Sequence, residues 1–263
     1  MSHNQGKLGV LINPQSSNVF RYNVPTRLMF FNKLDRPGAS LYSSYLSLLA
    51  NRLHPQPIVL TVPVASFNSE DYSSAEPGIQ GIVDLVNWEV WKSTDDGCIR
   101  IPLPNSAPEL SENSPFSPSH PLLSHLIPAR TQLLESLGMH SEALFDHLLA
   151  LPHGPSAYLS VPAATVIPCL RELTLRQEIL PIVCGSALKH IGTELLLNYV
   201  GALLANPLDV EVSKLANPER MQLLAWKVTW DNRRGWMTFV RIYSGMFGKP
   251  EQWMFRSPFP KVH

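Results

Sequence analysis

The chain has 263 residues, 44% of them apolar and 16% charged, with 21 basic and 21 acidic side chains and a formal net charge of +0. These proportions exclude collagen-like, coiled-coil and largely disordered classes, and the balanced charge excludes the broad basic field that holds a protein on DNA by counterion release, so any RNA contact is local. No run reaches the roughly 18–20 apolar residues of a membrane-spanning helix, and Cys98, Cys169 and Cys184 lack CxxC spacing, which points to ordinary thiols in a reducing compartment with no membrane partner.

Residues 1–23 show no sustained period and read as loop. The first 34 residues, with Lys7, Arg21, Arg27, Lys33, several Ser and no acid before Asp35, faintly resemble a mitochondrial transit peptide, although strand residues already begin near Arg27. "RLMFF" (27–31) is a continuous apolar run suited to a strand buried on both faces of a parallel sheet. After the "RPG" turn, Ser40 can cap a helix carrying Leu41, Tyr45, Leu48, Leu49 and Leu53 on one side. "QPIVLTVPV" (56–64) and "GIQGIVDLVNWEVWK" (78–92) each read as a strand. The segment 93–121, rich in Pro, Ser and Asn, reads as an exposed excursion.

Helical spacing returns in "PARTQLLESLGMHSEALFDHLLAL", with a break at Gly138 and a restart at the Ser141 cap. A second helix, "PAATVIPCLRELTLRQ", precedes the buried strand of "ILPIVCGSAL". The helix "TELLLNYVGALL" follows, and Pro207 is expected to end it. Beyond it "LLAWKVTWD" and "WMTFVRIYSG" alternate around the "NRRG" turn, the pattern of a β-hairpin opening a barrel. Trp226, Trp230, Trp236 and Phe239 are expected to pack inside that barrel. Arg233, Arg234 and Arg241 form a basic cluster that reads first as a solvated hairpin tip and second as a contact for RNA or protein. His120, His125, His140, His147, His153 and His190 have no metal spacing and read as scattered surface or helix residues; no metal ligand set and no catalytic residue are assigned.

The strand, polar loop, helix unit therefore occurs twice, and its loops carry the chemistry. The first reads Asn32, Lys33, Leu34, Asp35. Asn-Lys-x-Asp after a buried strand resembles the guanine-recognition signature of regulatory and translational GTPases, which implies that the Asp35 carboxylate can accept two hydrogen bonds together from guanine N1–H and the exocyclic amine, a donor pair that adenine does not offer. The stem of Lys33 can lie over the base, and the Asn32 amide can tie neighbouring loops together. The second loop, in "CGSALKHIG", carries Ser186, Ala187 and Leu188 and resembles the Ser-Ala-Leu or Ser-Ala-Lys loop of GTPases, a resemblance that implies an Ala187 N–H donating to guanine O6 while Ser186 braces the loop.

"VPTRLMFFNKLDRPGAS", "GIQGIVDLVNWEVW", "LRELTLRQEILPIVCGSALKHIG" and "LLAWKVTWDNRRGWMTFVRIYSG" resemble, in order, stretches of the elongation factor G family of translational GTPases, in particular its divergent mitochondrial forms including the ribosome-releasing branch. The similarity covers about residues 24–247. It implies an α/β fold: the C-terminal half of a P-loop NTPase-like GTPase domain over 24–207, with an inserted α+β subdomain at about 56–165. The start of a β-barrel domain over 208–247 and an unmatched tail over 248–263 follow. It further implies GTP or GDP as ligand, Mg²⁺ in a complete member, the ribosome as partner and a mitochondrial location.

The phosphate-binding GxxxxGK[ST] and the water-positioning DxxGH of that family are not in this sequence. In "GMFGKP" (245–250) the glycines are too close and Pro stands where Ser or Thr is needed. Two or three bonds to guanine at about 1.5–3 kcal/mol each barely offset an association cost of about 4–15 kcal/mol. The expectation is thus weak nucleotide binding and no hydrolysis by this stretch, read as an incomplete form of such a factor. The alternative is a non-hydrolysing guanine-nucleotide or ribosome-binding protein. Without central strands of the parallel sheet, "RLMFF" and "LPIVC" are expected to lack neighbours.

Overall fold

A computed structural model describes residues 9–10, 26–73, 78–94, 97–117, 119–152, 154, 156–206 and 222–244. The expectations for Pro207, "GMFGKP", the tail from 248, His153 and the side chains of Trp226 and Arg241 lie outside the described residues. The chain divides into two units, Met1–Leu204 and Ala205–His263.

The first unit is built on a largely parallel sheet. Strand β2 (Met29–Asn32) and β8 (Leu180–Cys184) run parallel with Met29 opposite Ile182, Phe30 opposite Val183 and Phe31 opposite Cys184. Every residue of β8 is buried, as expected of an uninterrupted apolar run covered on both faces. The expectation that β2 and β8 lack neighbours is not met. β8 sits between β2 and the parallel β3 (Pro57–Val59), and the outer edge of β2 pairs antiparallel with the two-residue β1 (Gly9–Val10). The sheet order is thus β1-β2-β8-β3, and residues 9–10 depart from the loop read for 1–23. Helix α1 (Leu41–Ala50) follows β2, its Ser40 cap accepting from the Ser43 N–H at 3.3 Å.

The run 56–64 is two strands in two sheets, a correction to the single strand read from its composition. Strand β3 belongs to the parallel sheet, and β4 (Thr61–Val64) to an antiparallel one. Leu60 is the joint: its N–H donates to the Ile182 carbonyl at 2.8 Å and its carbonyl accepts from the Leu85 N–H at 2.9 Å. The second run is likewise a hairpin and not one strand, β5 (Gly81–Asp84) turning into β6 (Glu89–Thr94), with Trp88 at φ 56 in the turn. Alternation continues across the turn, which is why the sequence pattern concealed it.

Segment 93–121 is also corrected. It contains β7 (Gly97–Pro102), paired along its length with β6 to complete the antiparallel order β4-β5-β6-β7, and the short helix α2 (Ala107–Glu112). Leu103, Leu110 and Phe116 from this stretch are buried. His120, expected at the surface, is buried as well, its Nε2 2.7 Å from the Ser66 carbonyl and its Nδ1 accepting from the Leu122 N–H at 3.1 Å.

Helix α3 (Leu123–Gly138) starts five residues before the Pro128 expected to open it. A proline there deprives the Ser124 carbonyl of its helical donor, and the burial of Leu126 holds the first turn in place despite that loss. Helix α4 (Glu142–Leu149) begins at the Ser141 cap, α5 (Ala163–Leu175) leads into β8, and α6 (Thr193–Leu203) closes the unit. Both sheets and these helices share one apolar core.

Arg130 of α3 is wholly inside that core. Its Nη1 donates to the carbonyls of Leu85 and Val86, its Nη2 to that of Val161 at 2.7 Å, and its Nε has no partner among the described residues. Burial lowers its pKa to about 10, an effect opposed by the charge of Asp84.

In the second unit β9 (Gln222–Asp231) and β10 (Gly235–Ser244) form a hairpin with Trp230 opposite Trp236. Asp231 Oδ1 accepts from the Arg233 and Arg234 N–H groups, each at 2.9 Å, which fixes the turn. The expected interior packing of its aromatics is not seen. Trp230 and Trp236 meet edge to face at 5.4 Å and remain 58% and 72% exposed, and Phe239 is exposed too.

Arg130→Met should lower unfolding free energy by about 3 kcal/mol, since three buried carbonyls lose their donor, and urea denaturation monitored by tryptophan fluorescence measures it.

Candidate functional site

With Phe31 level with Cys184, the carboxyl ends of β2 and β8 stop side by side and both chains leave the sheet in short loops. Two backbone bonds continue the pairing past the strands: the Gly185 N–H donates to the Phe31 carbonyl at 2.9 Å and the Leu34 N–H to the Gly185 carbonyl at 3.2 Å. The loops therefore leave in register.

Side chains then tie one loop to the other. Asn32 Oδ1 accepts from the Lys33 N–H at 2.8 Å and from the Ala187 N–H at 2.9 Å. Ser186 Oγ donates to Asp35 Oδ1 at 2.5 Å and accepts from the Lys189 N–H at 3.2 Å. The six residues singled out in the sequence thus occupy one place, although Asp35 and Ser186 are 151 positions apart in the chain. Leu188 shares the loop but is 80% exposed and makes none of these bonds.

The backbone is held in tight geometry. Lys33 has φ 67 and His190 φ 57, left-handed values that persist when surrounding bonds fix them. Ser186 and Ile191 exchange both of their N–H to carbonyl bonds at 3.0 Å, closing the second loop. Only glycine fits at 185, where a Cβ would lie 2.2 Å from the Ile191 carbonyl oxygen.

The Ser186 hydroxyl is the main influence that holds the Asp35 carboxyl below the usual carboxylate range. Partial burial opposes it, and Lys189 and Arg36 add favourable charge. The carboxylate is therefore ionised at neutral pH. One hydrogen bond leaves most of its acceptor capacity free, since a carboxylate offers about four lone-pair sites.

One expected role needs rearrangement. The Ala187 N–H, assigned to guanine O6, donates here to Asn32, so a base acceptor has to share or displace that bond. For Mg²⁺ there is no fit among the described residues, which place no group of His, Cys, Asp or Glu suited to a metal ion. No step through the metal follows from this chain.

Sequence reasoning missed Gly185, Lys189 and Gly192. The two glycines flanking "SALKHI" were the available signal, and both act through steric tightness. It also missed Asp84 and Tyr199, whose bond joins the antiparallel sheet to α6, because nothing in local spacing relates residues on separate elements.

No protein-family model matches the chain. It is 29% identical over 255 residues to mitochondrial ribosome-releasing factor 2 of Vanderwaltozyma polyspora, covering 89% of this chain and 30% of that protein. To the Eremothecium gossypii protein of the same name it is 31% identical over 240 residues, covering 84% and 27%. To that of Mus musculus it is 33% identical over 229 residues, covering 86% and 27%. The chain spans less than a third of the length of these relatives. A crystal structure of a Thermus thermophilus protein has the same fold over 87% of this chain and 29% of its own, with TM-score 0.60 and 16% identity.

Ser186→Ala should raise the Asp35 titration midpoint toward the ordinary carboxylate value near about 3.9, measured by NMR of its carboxyl carbon. Because the folded pKa is the lowered one, the stability this bond contributes is present above the unfolded pKa and lost as pH falls through the folded one. The wild type should therefore lose more stability between neutral pH and strongly acidic solution than the variant does.

Proposed function

We propose, taking as premise that the chain is homologous to part of the mitochondrial ribosome-releasing factors of the elongation factor G family, that it supplies the guanine-reading half of a translation GTPase. The name of the relatives, mitochondrial ribosome-releasing factor, supports a mitochondrial, ribosome-directed role in recycling, with translocation as the second reading that the family resemblance leaves open. The observation that carries the reading at the level of residues is the pair of cross-loop bonds, Asp35 to Ser186 and Asn32 to Ala187, at the carboxyl ends of adjacent parallel strands. Ligands of open α/β sheets bind at that position.

In this assignment Asp35 accepts from the guanine N1–H and the exocyclic amine, and Lys33 lies against the base. Ser186 keeps the carboxylate ionised and oriented, and Ala187 turns its N–H from Asn32 to O6. The inserted subdomain comprises the antiparallel sheet and the helices packed on it, and the hairpin of the second unit opens a barrel domain. GTP or GDP is the ligand. Bound phosphates and Mg²⁺ supply affinity and in-line hydrolysis in such factors, chemistry for which this sequence carries no GxxxxGK[ST] or DxxGH. A non-hydrolysing guanine-binding role is favoured by that same observation for this stretch alone.

The test is a titration of the chain with GDP, ADP and XDP followed by amide NMR. GDP is expected to bind weakly, with Kd of about a millimolar, and about tenfold or more tighter than ADP. Asp35→Asn should reverse the preference in favour of XDP, because an amide donates where the carboxylate only accepts. Equal binding of GDP and ADP by the wild type overturns the assignment.

A further inference from the structure

Helix α6 begins directly after the Ser186 loop, and three contacts from the antiparallel sheet fall on it. At its start Gly192, with φ 78, lies against β5 so closely that a Cβ there would be 2.3 Å from Ile82 Cδ1 and 2.7 Å from the Cys184 carbonyl oxygen. Glu194 in its first turn pairs with Arg100 of β7 at 2.7 Å on the surface. Further along, the Tyr199 hydroxyl donates to Asp84 Oδ1 at 2.6 Å, both groups being buried.

Asp84 is itself immobilised. Oδ1 also accepts from the Val86 N–H at 2.9 Å and the Asn87 N–H at 3.3 Å, and Oδ2 accepts from Asn87 Nδ2 at 2.7 Å. These bonds anchor the carboxylate in the turn between β5 and β6, a turn whose carbonyls at Leu85 and Val86 are in turn held by Arg130. An α-helix transmits displacement along its axis with little loss over the roughly 9 Å between Thr193 and Tyr199. Gly192 and Ile191 are continuous with its start, and Ile191 is doubly bonded to Ser186.

We propose that Asp84 and Tyr199 are positioning residues for base recognition. From the opposite end of α6 they fix the height and rotation of the helix, and through Gly192 and Ile191 the placement of Ser186 and the Ala187 N–H. The proposal rests on the guanine reading of that loop. It assigns the antiparallel sheet a task at the site although none of its residues is among those that would touch the base.

The experiment is hydrogen exchange of the full chain without nucleotide, following the Ala187, Lys189 and Ile191 amides. Tyr199→Phe is compared with wild type in enough urea to match its global stability. Loss of one buried hydrogen bond predicts exchange about tenfold faster in the variant than in the matched wild type, together with a smaller ratio of GDP to ADP affinity. Equal exchange overturns the proposal, as does faster exchange with an unchanged ratio, which would make the bond structural only. Should Tyr199→Phe fail to fold, Asn87→Ala, which removes the donor to Asp84 Oδ2, is read the same way, with exchange about threefold faster expected and equal exchange overturning the proposal. Because the exchange arm contains no nucleotide, its failure leaves the guanine assignment standing. Failure of the wild type to prefer GDP sinks that assignment without altering the exchange result.

Discussion

The parallel register of β2 with β8 is the constraint on which the rest of the structure depends. A parallel pair has no hairpin to fix it, so pairing must be specified by burial of the two strands and by whatever lies between them. Here β8 supplies that specification: all five of its residues are buried and it has a partner on each side. A slip of one residue would turn Ile182 and Cys184 toward the opposite face and separate the ends of the two strands. With the register in place, the loop bonds are few and short-range, each contributing about 1 kcal/mol net. They fix geometry more than they hold the fold together.

The stretch between the two strands is not cargo carried by the sheet, and its packing shows why. Leu60 hands the chain from one sheet to the other through a single residue, and Thr61 sends its hydroxyl to the neighbourhood of Cys184, whose N–H donates to it at 2.9 Å. Burial pushes the Cys184 thiol up to about 12, so it acts there as a small apolar group. Asp84 carries the opposite character into the same core. Burial raises its carboxyl, and the bonds from Tyr199, Asn87 and Val86 pull it back. A polar group is stable in this position only with its donors supplied, which makes Asp84 and its partners a demanding specification of how α6 sits on the sheet.

The parts of the fold that the sequence made legible were those in which one period runs for the length of an element. β2, β8 and α6 are of this kind, as are the Ser40 and Ser141 caps, because burial of one face or of both leaves a regular trace. The breaks inside 56–64 and 78–92 left no such trace. Leu60 is apolar like its neighbours, and it changes sheets by redirecting backbone bonds that no side chain reports. β7 was hidden for another reason: its short alternation, Ile99 and Ile101 about Arg100, is closed by Pro102 and lies inside a stretch rich in Pro, Ser and Asn that reads as loop. At the site, Asn32, Asp35, Ser186 and Ala187 were legible from side-chain chemistry and loop position. The Ala187 N–H bond to Asn32 was not, because side-chain chemistry and loop position do not report where a backbone amide points.

That last bond bears on how such a site discriminates. The loops satisfy each other: Ala187 has Asn32, Asp35 has Ser186, and the left-handed Lys33 is held between them. Ordering of the loops therefore occurs on folding and is not charged again to binding, which lowers the cost of association. A base entering this arrangement has to offer Asp35 two donors and replace Asn32 at the Ala187 N–H with a better acceptor. Under the proposed assignment guanine meets both conditions on one edge. Adenine would present its amine where the Ala187 N–H needs an acceptor and no N1–H to the carboxylate, leaving charged and polar groups unpaired. Selectivity of this kind grows from the penalty on the wrong base more than from the gain on the right one, and it requires loops that are already in place.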